Sequence, residues 1–272
     1  MRKEVVFAIL AGISIGLIAA FGTWRISKLV KVTPPPITKI ETPKPKNLDT
    51  ITIDKLKDYD VLTKNPIIKG LSKPNIDIII STADFDYYTK SNSEGEFEIE
   101  IELPAGLSEV KINELKLLLV FSTEVEDNLK SYVGTVTDIS SGTIQVKIVN
   151  GGILQVSMNE DAKYINTLKK GIEVKETDLA IGDYIVAIGK ANGNKVLHSS
   201  RILISSPIVE SKIEVEKIEI EKLSKTYIND IKLPTKWVGP NVKDLEVGQE
   251  IYVVGIRDEK SYTLRTIFKP EI

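Results

Sequence analysis

An eleven-residue pattern occurs twice in this chain of 272 residues. Leu179-Ala-Ile-Gly182-Asp-Tyr-Ile185-Val-Ala-Ile188-Gly189 returns 66 positions later as Leu245-Glu-Val-Gly248-Gln-Glu-Ile251-Tyr-Val-Val254-Gly255. Self-similarity at a fixed offset marks an internal duplication. The shared form is L-x-[IV]-G-x-x-I-x-[AV]-[IV]-G. Its first Gly permits a tight turn into a β-branched strand, and its last permits a bend or bulge. Each copy leads through a turn, Asn192-Gly-Asn194 or Asp258-Glu-Lys260, into a further strand over residues 196–204 or 262–268. The chain is therefore committed to two related β units.

Upstream of the first copy, residues 132–139 and 143–148 form a hairpin about Ser141-Gly142, and Asn150-Gly-Gly152 turns into residues 153–157. Gly151-Gly152 is read as a hairpin turn, because no GKS/T or GxGxxG pattern follows it. In the second unit Ile213-Glu-Val215 and Ile218-Glu-Ile220 shift apolar phase at Lys217-Ile218. That shift predicts a bulge if the segment is a strand, and its charges also suit a helix. About five strands per unit suit a small closed or half-open barrel. On Val133-Gly-Thr-Val, Ile139-Ser-Ser-Gly142-Thr-Ile and Ile181-Gly-Asp-Tyr through Gly189, the stretch resembles a family of uncharacterised bacterial small β-barrel repeats, similar to OB-like folds. The second copy departs at Gln249-Glu250, which replaces Asp183-Tyr184. The resemblance implies a fold rather than an activity, although OB-like faces often take oligonucleotides or oligosaccharides. The units are placed at 129–206 and 210–272.

Residues 51–126 carry turn signals at short intervals, at Asn65-Pro66, Ser72-Lys-Pro-Asn75 and Ser93-Glu-Gly95. Between them lie short strands. Ile76, Ile78 and Ile80 share one face, and Phe97-Glu-Ile99-Glu-Ile101-Glu-Leu103 alternates strictly, with its apolar set predicted to face a core. Residues 117–121 are continuously apolar, as in a strand covered on both faces. This spacing predicts a β-sandwich. Pro66-Ile-Ile-Lys-Gly70, Lys73-Pro-Asn75, Glu94-Gly-Glu-Phe97 and Leu103-Pro-Ala-Gly-Leu107 resemble bacterial immunoglobulin-like surface modules over residues 57–122. Ser108 stands where the family often has Asn, and Glu94-Gly95 where it has Asp-Gly. Such modules serve as spacers, adhesive units or appendages of carbohydrate-active enzymes.

Residues 5–24 hold no charge. A 20-residue helix spans about 30 Å, the hydrocarbon thickness of a bilayer. The segment is read as a transmembrane anchor after a cytoplasmic tail, residues 1–4; cleavage near Ala20-Phe21-Gly22 is the alternative. Arg2 and Lys3 precede it, and Arg25, Lys28 and Lys31 follow. The positive-inside count favours the opposite orientation, but long domains translocate largely regardless of charge, so an uncleaved signal-anchor with the β modules extracytoplasmic is expected. Ala8, Gly12, Gly16 and Ala20 recur every four residues, a small-residue face that suits a helix homodimer; Gly and Ala are also simply common in membrane helices. Residues 25–50 form a Pro/Lys-rich linker, with five of the chain's 12 prolines between Pro34 and Pro45. They are read as a semi-rigid polyproline spacer rather than an SH3 ligand.

The net charge of −2 conceals an asymmetry: residues 1–50 hold 8 Lys/Arg and 3 Asp/Glu (+5), and the remainder holds 28 and 35 (−7). Phosphate polymers are poor ligands for an acidic body, so no nucleic-acid partner is expected. With no cysteine and a single histidine, His198, thiol chemistry, Cys-ligated metals and two-His mechanisms are excluded. His198 lies in an apolar strand run with no identifiable partner. Asp84, Asp86, Glu94 and Glu96 match no calcium-loop spacing and read as solvated turn carboxylates. Trp237, Tyr252 and Tyr262 are candidates for a glycan-stacking platform, with core packing as the alternative. No cofactor, metal or catalytic group is assigned. The expected role is that of a single-pass, non-enzymatic envelope protein, structural, adhesive or accessory to an envelope assembly, with membrane lipid and an envelope protein or cell-wall glycan as partners. A carbohydrate-binding protein is the second reading. Isolated carboxylates are plentiful enough for an uncharacterised envelope enzyme to be the third.

Overall fold

The structure, a computed structural model, describes residues 50–123, 125–126, 128–149, 151–169, 171–208, 212–258 and 261–270. The chain divides into Met1–Lys46 and Asn47–Ile272, and every described residue belongs to the second unit. The anchor, the proline-rich linker and the stripe Ala8, Gly12, Gly16, Ala20 lie outside the described residues. Among those described, no helix is long and apolar enough to cross a membrane.

The second unit is built almost wholly of strands. The first group comprises β1 (Thr52–Ile53), β2 (Val61–Leu62), β3 (Ile67–Leu71), β4 (Asp77–Ser81), β5 (Asp86–Lys90), β6 (Glu96–Glu100), β7 (Gly106–Ile112) and β8 (Leu115–Phe121). They form two sheets, ordered β1-β3-β6 and β2-β8-β7-β4-β5, with β2 parallel to β8. Ile68, Ile78, Ile80, Phe97, Ile101, Leu103, Val110, Ile112, Leu119 and Phe121 fill one core between them. This is a β-sandwich, and the alternation from Phe97 to Leu103 points inward as its period of two requires.

The second group comprises β9 (Lys130–Ser140), β10 (Thr143–Ile148), β11 (Ile153–Asn166), β12 (Ile172–Val174), β13 (Tyr184–Ala191) and β14 (Leu197–Ser205). The order β10-β9-β13-β14-β11, closed by β10 on β11, makes a five-stranded barrel in which β11 and β14 run parallel. Its interior holds Val136, Ile144, Val146, Val156, Ile185, Ala187, Leu197 and Ile202. Closure pairs most of the edges that an open sheet of this size would expose, the start of β9 before Gly134 excepted.

The last group comprises β15 (Ile213–Glu219), β16 (Tyr227–Ile228), β17 (Ile231–Lys232), β18 (Glu250–Asp258) and β19 (Ser261–Phe268). Its strand order β15-β18-β19 follows β9-β13-β14 of the first barrel, but its hairpin strands have two residues each and form a separate sheet. This unit, the second barrel, is therefore barrel-like but not closed by strand pairing among the described residues. The sheet β15-β18-β19 and the hairpin β16-β17 share one core, and Asn229 in the hairpin turn donates its Nδ2 to the Glu219 carbonyl at 2.8 Å, while the isolated bridges Leu223–Ile228 and Val238–Thr266 tie the connecting loops to β16 and β19. The segment at Lys217-Ile218 is neither helical nor bulged: β15 pairs with β18 in unbroken register from Ile213↔Ile256 to Glu219↔Glu250. The apolar phase changes because the strand serves two cores. Ile213 and Val215 pack towards the sandwich, whereas Ile218 and Ile220 enter the barrel.

The sequence reads as three units in series; in space both barrels sit on one face of the five-stranded sheet of the sandwich. Val120, Leu107 and Tyr59 meet Val133, Val186, Ile188 and Leu203 of the first barrel. Ile79 and Tyr88 meet Ile213, Val215, Val254 and Phe268 of the second. This explains why Ile78, Ile79 and Ile80 are all buried, and why residues 117–121 lack a polar face.

Candidate functional site

Polar contacts at the two junctions fix how the barrels sit. In the second barrel the β18–β19 register shifts at Val254/Gly255, so Val254 pairs with Thr266, Gly255 with Leu264, and Arg265 is the extra residue. A bulge re-aims side chains. Here Arg265 donates to the Thr82 carbonyl at 3.2 Å and lies 3.4 Å from the Asp86 carboxylate, while Thr266 Oγ1 donates to Asp86 Oδ2 at 2.6 Å. The side chain of Asp86 is only 1% exposed. Asp77 accepts from the hydroxyls of Tyr88 (2.6 Å) and Tyr252 (2.8 Å), and Lys111 Nζ donates to the Ile213 carbonyl at 2.8 Å. The first barrel has the same bulge at Ile188/Gly189, and its buried Arg201 donates to Ser122 Oγ at 2.9 Å.

The three expected aromatics do not share a face. Trp237 borders the core of the second barrel, with its indole N–H donating to the Pro240 carbonyl at 3.1 Å. Tyr262 borders the same core near the Arg257 guanidinium, 5.1 Å over its ring, and Arg257 pairs with Glu214 and Glu216. Burial pushes the Tyr262 phenol up, as does the negative charge of Glu216. Tyr252 points from the opposite face into the sandwich junction, where burial and the hydrogen bond to Asp77 raise it. His198 is exposed, with Nε2 lying 3.3 Å from the Asn192 amide nitrogen. Of the four turn carboxylates, Asp86 is built into the junction, and among the described residues no cluster of three His, Cys, Asp or Glu is placed to hold a metal.

A half-open cleft of about 350 Å³ lies where the first barrel meets the sandwich. Asp58, Tyr59 and Asp60 line one side, Leu129 and the start of β9 (Lys130 to Val133) lie beneath, and Ile148, Val149 and Leu154 of the β10–β11 hairpin line the other side. Tyr59 has φ 68°, a left-handed conformation costly for a non-Gly residue. Three bonds hold it: Tyr59 N–H to the Leu118 carbonyl (2.6 Å), Leu118 N–H to Asp58 Oδ1 (2.8 Å) and Ser131 Oγ to the Tyr59 carbonyl (2.6 Å). Such local strain persists only where its surroundings over-determine it, and it concentrates at ligand clamps. Burial raises the phenols of Tyr59 and Tyr132. Asp58 and Asp60 each hold a backbone N–H, so they are braced rather than poised for acid–base work. The cleft can bind; it holds no nucleophile–base pair.

Sequence reasoning missed this site. Asp58-Tyr-Asp60 lies outside any alternating run, and a positive φ at Tyr59 leaves no mark in composition. No protein family, curated protein or solved structure matches the chain.

Proposed function

We propose that the chain is a single-pass, envelope-anchored accessory protein whose β body is a rigid docking platform outside the membrane. The observation that carries this reading is the pair of junctions: one face of the sandwich sheet is committed to both barrels through buried apolar contacts and through Asp77, Asp86 and Ser122. Domains meant to move independently bury less between them. A stiff block following an uncharged 20-residue run and a proline-rich spacer suits a part that must hold a partner at a fixed distance from the bilayer. The sheet order β1-β3-β6 against β2-β8-β7-β4-β5 supports an immunoglobulin-like sandwich. The five-stranded closure with β11 parallel to β14 supports an OB-like barrel, repeated in looser form. The helix stripe of Ala8, Gly12, Gly16 and Ala20 gives such a protein a means of pairing in the membrane.

Protease treatment of intact cells tests the placement. The β body is expected to be cut away or shifted in mass while an internal cytoplasmic control survives; a protected body overturns the orientation. Recovery of the chain from the soluble fraction overturns the anchor.

A carbohydrate-binding role is the second reading. It is favoured by Tyr59 and Tyr132 lining the cleft beside Asp58 and Asp60, since sugar sites pair aromatic rings with carboxylates. N-acetylglucosamine oligomers that perturb these tyrosines would support it.

A further inference from the structure

The cleft beside Tyr59 is bounded by an unpaired length of strand. On one side β9 pairs with β13 from Lys130 to Thr135. On the other, its partner β10 reaches back only to Gly134↔Ile148. The residues before Gly134 therefore have no strand beside them among the described residues. The direction of their backbone groups follows from Val136, whose N–H donates to the Asp183 carbonyl and whose carbonyl accepts from Gly182 N–H, both at 2.8 Å. Backbone groups alternate sides along a strand, so Ser131 and Val133 present theirs away from β13, towards the cleft. Val149, 58% exposed, forms an apolar rim beside them, and Ile153 nearby on the hairpin is 59% exposed. The carboxylates of Asp58 and Asp60 outnumber Lys130, so the site is acidic.

We infer that this cleft binds a short extended stretch of polypeptide, added as a strand to the open edge of β9, with an apolar side chain against Val149 and Leu154 and a basic residue near Asp58 and Asp60. Strand addition draws affinity from main-chain hydrogen bonds and specificity from alternate side-chain pockets. Five of the lining residues are aliphatic, Leu129, Val133, Ile148, Val149 and Leu154. They suit a peptide side chain better than a sugar face, which seeks flat aromatic rings. The inference gives the docking platform its partner class and rests on that reading only for where the partner is met; binding itself is independent of the membrane.

The test uses the full-length chain in detergent and three probes: an acetylated peptide alternating Val and Thr with one terminal Lys, the same peptide N-methylated at every second amide, and an N-acetylglucosamine oligomer. Binding is followed by amide hydrogen exchange at Ser131 and Val133 and by calorimetry. The expected result is slowed exchange at both amides with the first peptide. Affinity should fall at least about tenfold on N-methylation, because ladder bonds are removed, and by a similar factor in Val149→Asp. Binding that ignores N-methylation, protection produced by the glycan alone, or no binding of the first peptide would each overturn the inference. None of these outcomes bears on the protease result in cells, so failure of the cleft and failure of the envelope placement are read separately.

Discussion

The two barrels descend from one pattern yet differ in what they keep. Their shared parts match closely. Gly182 (φ +98°) and Gly248 (φ +87°) make the same turn, with N–H groups donating to Val136 and Ile220, each at 2.8 Å. The side chains of Asp183 and Gln249 accept from the backbone three residues earlier, at 2.8 and 3.3 Å, so the substitution preserves the bond while lengthening it. Both bulges fall at the pattern's last Gly, and an arginine at or beside each reaches the end of a sandwich strand: Arg201, paired with Ile188 next to the bulged Ser200, at Ser122 after β8, and the bulged Arg265 at Thr82 after β4. What differs is the hairpin. In the first barrel β10 and β11 are long and close the wall; in the second, β16 and β17 have two residues each. The duplicated element is thus the docking strand pair, and closure is a separate matter left to the hairpin.

If that is right, the tightest point of the pattern should matter most where the barrel is closed. A Cβ at Gly189 would lie 2.0 Å from the His198 carbonyl oxygen, whereas at Gly255 the nearest atoms are the Thr263 oxygen and the Tyr262 ring, both at 2.6 Å. Gly189→Ala should cost about 3–5 kcal/mol in urea unfolding and Gly255→Ala about 1–3 kcal/mol. Equal losses would show that the two strand pairs are under the same constraint and that closure adds nothing.

The junctions should rank the other way. Asp86→Ala removes the buried acceptor for Thr266 and strips Arg265 of its carboxylate, an expected loss of about 3 kcal/mol. Ser122→Ala removes one donor–acceptor pair from Arg201, which retains other interactions, and should cost about 1 kcal/mol. Release of the second unit by limited proteolysis should accelerate in the first variant only. The same rate in both would mean that the second barrel does not depend on its charged junction.

Asp77→Asn sharpens that point at a smaller scale. The carboxylate accepts two phenolic O–H groups, and its replacement by a neutral amide should cost about 1–2 kcal/mol. The Tyr252 phenol, raised by burial first and by Asp77 second, should move back towards its ordinary range while staying above it. Absorbance of the phenolate against pH reads this shift. A Tyr252 titration unaltered by the substitution would remove Asp77 from the junction.

The strands were largely legible in the sequence, and the relation between units was not. Period-two alternation fixed the inward set of β6, and the repeated glycines fixed the turns before β13 and β18, because both depend on local sterics and on one buried face. The continuous apolar run of β8 signalled a second covered face without saying what covers it. Asp77 and Asp86 look like ordinary polar positions in strands; it is the approach of Tyr252, Arg265 and Thr266, more than 170 residues away, that builds them into the junction. Likewise the phase change in β15 suggests a bulge or a helix in sequence alone, because the second core it serves is contributed by residues far away in the chain. The cleft was hidden for a further reason: it lies between units, and its clamp is the backbone conformation of Tyr59 rather than a residue pattern.

The smallest expected effect concerns the closed core alone. Tyr164 is almost fully buried in the first barrel, its hydroxyl 3.0 Å from Met158 Sδ, and burial, then the charge of Glu176, pushes its phenol up to about 12. In the unfolded chain a tyrosine ionises near about 10. The unfolded state therefore releases this proton first, and stability is intact below about pH 10 and declines as pH rises towards about 12. Tyr164→Phe should leave the urea midpoint at pH 8 within a few tenths molar of the parent and reduce its fall between pH 10 and pH 11.5. The remaining slope belongs to the other raised tyrosines, among them Tyr132 and Tyr184 of the closed barrel and Tyr252 and Tyr262 of its looser copy. An unchanged slope would place the alkaline sensitivity at those other tyrosines rather than at Tyr164.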